Sequence, residues 1–292
     1  KITNTGNANI KLDNPHNTTQ LKSINDATTG SITFNDAAVA LSGTAAVVTA
    51  ALNGITGYKG AVTLDDPHNQ AQLIAINNAT DGAITFNDDA VKLSGSVADV
   101  GAALAGVTNY KGVVEITDTG SDISATEVTA IANAMKAPLK PVITQKPNIK
   151  GNAADVVTAL GKITNTGNAN IKLDNAHDLT QLKSINDATT GSITFNDPSV
   201  KLIGSVADVG AALAGVTGYT GEVDITDTAS DITATAITAI ADATNKTPVI
   251  TKKPNIKGNA ADVVTALGKI TNTGNANIKL DDPHNLTQLK TI

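Results

Sequence analysis

The 292 residues include no Cys, Trp or Arg, one Met and only three Phe and three Tyr, which excludes a disulfide framework, a Cys-ligated metal site and an interior of large side chains. With 41% hydrophobic residues, mostly Ala, Val, Ile and Leu, the chain is able to bury a core of small side chains, which argues against disorder. The net charge of −6, from 27 acids that are nearly all Asp against 21 Lys, makes nucleic acid a poor partner, and no apolar stretch approaches the ~18 residues of a membrane span.

Short strands with apolar flanks are expected at 10–12, 32–34, 62–64, 84–86, 114–116, 142–144, 171–173, 193–195, 223–225, 249–251 and 278–280. Most end in Asp or Asn-Asp; 142–144 and 249–251 run into Lys and Pro instead. Each interval holds one amphipathic helix candidate, such as 97–104, 123–135, 153–160 or 179–185. Helix starts are marked by a short polar side chain with an acid or Gln three residues on: Asn17 and Gln20, Ser96 and Asp99, Asn152 and Asp155, Ser205 and Asp208, Asn259 and Asp262. Gly106, Gly161 and Gly215 are expected stops.

Long blocks recur. Residues 1–36 return as 162–197, changed only at Pro15/Ala176, Asn17/Asp178 and Thr18/Leu179, and 147–174 return unchanged as 254–281. The offsets, 161 and 107, differ by 54, so the underlying unit is smaller than 107 and corresponds to one strand and one helix in about 27 residues. Such a unit buries its apolar face only by stacking on its neighbours. The expected fold is therefore an α/β right-handed solenoid of about eleven strand-helix coils with one continuous parallel sheet. Residues 1–292 read as a single uncapped segment of a longer array, with large repeats 1–161, 162–268 and a partial 269–292.

All four His occupy one repeat position: His16, His68, His177 and His284, each three residues after Asp13, Asp65, Asp174 or Asp281. An Asp-x-x-His pair can serve as a metal ligand or a base, but a group copied along a scaffold fits a structural turn at the helix entrance. The same reasoning places Phe34, Phe86, Phe195, Tyr58, Tyr110 and Tyr219 in the core or over a coil edge. No phosphate loop, zinc spacing, nucleophile elbow or paired Glu is present, so no enzymatic activity and no organic cofactor are expected.

With coils about 4.8 Å apart, Asp13, Asp36, Asp65, Asp88, Asp118, Asp174, Asp197, Asp227 and Asp281 are expected to form a carboxylate row. Two readings stand. Calcium bridges the coils at Asp13, Asp65, Asp118, Asp174, Asp227 and Asp281, or each carboxylate accepts hydrogen bonds from the following turn or a helix N-terminus. The middle residues of the strands, expected to face outward, are Lys11, Thr33, Thr63, Thr85, Glu115, Ile143, Lys172, Thr194, Asp224, Ile250 and Lys279. Their mixture argues against the uniform Thr array of ice binding. Ile143 and Ile250 mark a lateral assembly contact between copies of the chain, a register different from the one assumed, or a loop that covers them.

The segment 179–185 leading into Ile193, Thr194, Phe195 and Asn196-Asp197 resembles a leucine-rich-type coil without that family's Asn ladder. The whole chain, with segments such as 225–232, resembles the Thr/Asp/Ala-rich tandem arrays of giant bacterial cell-surface and RTX-associated proteins, including cyanobacterial ones. That resemblance implies an extracellular structural or adhesive role. The Gly-Gly-x-Gly-x-Asp calcium nonapeptide is absent, so a calcium roll does not carry over. The expectation is a self-associating component of an extracellular filament, surface layer or fibrous appendage; the alternative is the repeat stalk of a cell-surface adhesin.

Overall fold

The computed structural model describes residues 7–87, 91–197 and 199–292. It is an α/β protein in which strands and helices alternate, with eleven helices among the described residues. These are α1 (Thr18–Asn25), α2 (Ala45–Leu52), α3 (Gln70–Ala79), α4 (Val97–Leu104), α5 (Ala125–Ala134), α6 (Ala153–Lys162), α7 (Leu179–Ala188), α8 (Val206–Leu213), α9 (Ala234–Ala243), α10 (Ala260–Gly268) and α11 (Leu286–Thr291). None is long and apolar enough to cross a membrane.

Their starts follow the cap chemistry. Asn17, Asn69, Asp178 and Asn285 each accept the backbone N–H of a Gln three residues on, and that Gln side chain returns to the cap N–H. Ser96, Ser205, Asn259 and Asn152 each accept the N–H of the following Asp. Gly106 and Gly215 take left-handed φ values of 67° and 70° after α4 and α8. Gly161 is not a stop, because α6 continues to Lys162. The helix expected from Ile123 starts at Ala125 instead: Asp122–Ser124 is a strand whose β-branched Ile123 pairs with Ile149.

The chain forms two compact units, one of Lys1–Thr119, Thr126–Gln145 and Lys162–Gly167, the other of Gly120–Ala125, Lys146–Gly161 and Asn168–Ile292. In the first, three parallel sheets join Ile10–Leu12 to Ile32–Phe34; Leu41–Gly43 to Val62–Leu64 and Ile84–Phe86; and Leu93–Gly95 to Val114–Ile116, Val142–Ile143 and Thr164–Asn165. In the second, three more join Asp122–Ser124, Asn148–Gly151, Asn170–Leu173 and Ile193–Phe195; Leu202–Gly204, Val223–Ile225, Val249–Ile250 and Thr271–Asn272; and Asp231–Thr233, Asn255–Gly258 and Asn277–Leu280. Paired neighbours are separated in sequence by a helix, as parallel pairing requires.

Six short sheets therefore stand among the described residues where one continuous sheet was expected. The cause is that most helix-to-helix connections carry two strands, not one, with a polar turn between them that breaks the ladder. After Ile32–Phe34, Asp36 accepts the Ala38 N–H at 2.9 Å, and the chain bends before Leu41–Gly43 begins.

The core is thin and regular. α4 and α8 have the same sequence and bury the same face, Val97, Val100, Ala103 and Leu104 in one, Val206, Val209, Ala212 and Leu213 in the other. Helices pack on their sequence neighbours, α1 on α2 in the first unit and α7 on α8 in the second. The register corrects the reading of Ile143 and Ile250. Glu115 lies opposite Val142 and Ile116 opposite Ile143; likewise Asp224 faces Val249 and Ile225 faces Ile250. The outward positions are thus Val142 and Val249, and Ile143 and Ile250 are 0% exposed core residues that form no lateral contact surface.

Candidate functional site

The most elaborate polar grouping is a His–Phe–Tyr cluster that occurs three times. His16, His68 and His177 directly precede the N-caps of α1, α3 and α7, and all three are buried. Each Nε2 meets a Tyr hydroxyl 42 residues on: Tyr58 at 2.9 Å, Tyr110 at 3.2 Å and Tyr219 at 2.8 Å. The hydroxyls donate in turn to the main-chain carbonyls of Val39, Val91 and Val200 at 2.7, 2.6 and 2.6 Å. A phenol has one hydrogen; with it engaged by the carbonyl, His Nε2 carries the hydrogen shared with Tyr Oη. Phe34, Phe86 and Phe195 close each cluster, with ring centroids 5.1 Å from His16 and 5.2 Å from Tyr58 in the first copy.

The carbonyl that ends the relay also explains a glycine. A Cβ at Gly60 would overlap the Val39 carbonyl oxygen and the Tyr58 ring, and one at Gly221 would overlap the Val200 carbonyl and the Tyr219 ring. Backbone and hydroxyl thus approach the same oxygen.

Burial pushes the His16 and His177 pKa values down, against the Asn14 backbone and Asp36 at His16 and against Asp197 and Asp178 at His177. It pushes Tyr58 up to about 12, helped by Asp36, and raises Tyr219 likewise beside Asp197. His177 Nδ1 is buried with no hydrogen-bond partner among the described residues. Burial favours the neutral forms of His16, His177, Tyr58 and Tyr219, and each Tyr proton is committed to the main chain; the chemistry favoured is registration of one coil on the next. His284 is exposed, its Nδ1 3.4 Å from the Asp282 carbonyl, and position 326, 42 residues on, lies beyond the sequence.

The Asp residues do not form a carboxylate row. Because Leu12 pairs with Phe34, Asp13 stands opposite the amide of Asn35, not opposite another acid, and accepts from it at 2.6 Å. Asp65 accepts from Asn87 at 2.7 Å and Asp174 from Asn196 at 3.2 Å. Asp174 and Asp281 also lie 3.7 and 3.8 Å from the ammonium groups of Lys150 and Lys257. Asp118 and Asp227 accept the first helical N–H of α4 and α8, from Val97 and Val206, at 2.7 Å each. Asp36 and Asp197 sit one residue past the amides, in turns of their own. Asp88 lies outside the described residues. Among the described residues no group of three or more His, Asp or Glu side chains is placed to hold a metal ion.

Some of these contacts were not anticipated from sequence. Asp66, Asn175 and Asp282 accept the first helical N–H of α2, α6 and α10, from Ala45, Ala153 and Ala260, at 2.7, 3.3 and 3.1 Å. Their signal is an Asp or Asn 21 or 22 residues after a helix start. The constant 42-residue interval between His and Tyr was equally open to arithmetic. On the outward face of the second unit, Lys172 binds Asp122 at 2.6 Å and Lys279 binds Asp231 at 3.0 Å. Lys172 with Asn148, and Asn255 with Lys279, hold those two carboxyl groups below the usual range.

The chain matches no protein-family model, and no curated protein is significantly similar to it.

Proposed function

We propose that the chain is a non-catalytic structural segment in which the strand-helix units wind as a right-handed solenoid, and that it serves as a self-associating component of an extracellular filament, surface layer or fibrous appendage. The observation that carries this reading is the repetition of the His–Tyr–carbonyl relay, three times at the same 42-residue interval. A reaction center requires a unique convergence of groups, whereas a scaffold requires the same contact at every step. The Asp–Asn pairs and the carboxylate caps on helix starts 21 or 22 residues upstream have the same character. The exterior location rests on the resemblance of this Asp- and Thr-rich composition to bacterial surface arrays.

The test is assembly of the purified chain, followed by light scattering over a concentration series and by negative-stain electron microscopy. Filaments or sheets of regular width that grow with concentration are expected. A monomer at every concentration would remove the self-associating component and leave the adhesin-stalk alternative.

A further inference from the structure

The sequence holds a single Asn-Gly pair, Asn53-Gly54, and it stands at the exit of α2. Asn53 has φ −58° and ψ 125°, Gly54 has φ 73°, and the Ile55 N–H donates to the Leu52 carbonyl at 3.0 Å; together these make a type II turn. Both residues are exposed, and a Cβ on Gly54 would meet no neighbouring atom within 4 Å. The turn itself does not need an Asn. Ala105-Gly106 and Ala214-Gly215 form it after α4 and α8, with ψ 132° and 123° at the alanines and φ 67° and 70° at the glycines. The Asn53 side chain is surplus to the fold, and it adds a reactive group that those two copies lack.

Glycine has no Cβ to keep its backbone nitrogen from a neighbouring side chain. We propose that Asn53 is a site of spontaneous deamidation and that the side chain of Asn25 sets its rate. The Gly54 backbone nitrogen gives up its proton to water and attacks Asn53 Cγ. The N–Cγ bond forms, the Cγ–Nδ2 bond breaks and ammonia leaves, closing a five-membered succinimide. Water then opens the ring. Attack at Cγ leaves aspartate on an ordinary backbone. Attack at the former main-chain carbonyl leaves isoaspartate, with the chain running through Cβ and Cγ and that carbonyl carbon turned into a free carboxylate. Each conversion consumes one water and releases one ammonia, and nothing is oxidised or reduced.

The folded turn holds this reaction back. An L-residue closes the succinimide ring at negative ψ, so a ψ of 125° turns the Gly54 nitrogen away from Asn53 Cγ. Bringing it round breaks the hydrogen bond from Ile55 to Leu52 and moves the Asn53 carbonyl. That carbonyl is clamped. Asn25, the last residue of α1, places its Nδ2 2.7 Å from it, and 3.3 and 3.0 Å from the carbonyls of Ala50 and Ala51.

The same clamp recurs without the reactive pair, from Asn186 of α7 to the carbonyls of Ala212 and Ala214 at 3.0 and 2.7 Å. Conversion of Asn53 therefore reads how often the turn after α2 leaves its contact with α1. Either product puts a negative charge at the carbonyl end of α2, where the helix dipole disfavours it.

The test is peptide mass spectrometry of the full chain through weeks in warm, mildly alkaline buffer, with Asn, Asp and isoaspartate counted at residue 53. The parent should convert there at least tenfold faster than at any other Asn, with isoaspartate as the larger product. Asn25→Ala should speed the conversion at least threefold and Asn186→Ala should leave it unchanged. In denaturant, where no turn remains, all three chains should convert equally fast. Should Asn25→Ala fail to fold, Asn25→Gln, which keeps the donor but displaces it, should give the same acceleration. No Asp or isoaspartate at residue 53, or faster conversion at another Asn, overturns the site. Equal folded-state rates for the parent and the Asn25 variant, or equal acceleration by Asn186→Ala, overturn the clamp.

Discussion

Helices α7 and α11 open with the same five residues, Leu179 to Lys183 and Leu286 to Lys290, and each starts on a complete capping box, from Asp178 and Gln181 or from Asn285 and Gln288. Their fates differ. α7, Leu179–Ala188, buries Leu182 and Ile185, with His177 tied to Tyr219; α11, Leu286–Thr291, buries none of its residues. The cap is local chemistry and forms in both. Burial requires a neighbouring coil, and α7 packs on the helix that follows it, α8, whereas α11 packs on the helix that precedes it, α10. The comparison teaches that in this fold a residue's energetic weight is set by the coil stacked on it and not by its own sequence context.

The largest effect expected from this difference is in the paired leucines. Leu182→Ala should cost about 2–5 kcal/mol in chemical denaturation, because it removes a fully enclosed side chain and leaves a cavity. Leu289→Ala, measured at a dilution where the chain is monomeric, should stay within about 0.5 kcal/mol. Similar losses at both sites would break the comparison.

Next is the relay. Tyr219→Phe strips the Val200 carbonyl of its donor and leaves the His177 N–H buried and unsatisfied, which should cost about 1–3 kcal/mol. His284→Gln, at an exposed imidazole, should leave the thermal midpoint unchanged. The same clusters give stability a pH dependence of defined sign. The folded-state pKa values of His16 and His177 lie below the ordinary 6.5, so the unfolded chain binds more protons as the solution is acidified. Their contribution is fully present above pH 6.5 and is lost as pH falls through that value toward the folded-state pKa. A His16→Gln/His177→Gln double variant should show a flatter profile between pH 7 and 5 than the parent; an equally steep one would assign the slope elsewhere.

How much of this was legible in the sequence depends on the range of the interaction. Helix starts were readable because a cap involves residues three apart: Ser96 with Asp99 and Asn17 with Gln20 form as their spacing indicates. The eleven strand positions were readable from apolar alternation where three residues are paired, as at Val114–Ile116. The reading failed at Val142–Ile143, where only two residues pair and the start of an alternation is set by the partner strand, so Ile143 was assigned to the wrong side. Further strands, such as Leu93–Gly95 and Leu202–Gly204, escaped because a three-residue strand ending in Gly carries no alternation to detect. The Asp positions were found, but their partners were not. Whether Asp13 meets another carboxylate or the Asn35 amide depends on a one-residue choice of register between coils.

The smallest expected effect concerns the caps. Asp178→Ala should lower global stability by about 1 kcal/mol, since α7 folds with its neighbours. Asn285→Ala should leave global unfolding unchanged while reducing the helical signal of residues 286–291. A global loss from Asn285→Ala would mean that α11 is bound into the stack more firmly than its exposure indicates.

The most direct test of the central claim is backbone amide hydrogen exchange of α7 and α11 in one sample, at a concentration at which the chain is monomeric. With like sequence and the same type of cap, intrinsic exchange is closely matched, so the difference reports chiefly the packing on each helix. The account expects amides of Leu182 to Ala188 to exchange at the rate of global unfolding and those of Leu289 to Ile292 to exchange within about tenfold of the unprotected rate. Equal protection of the two segments would contradict it.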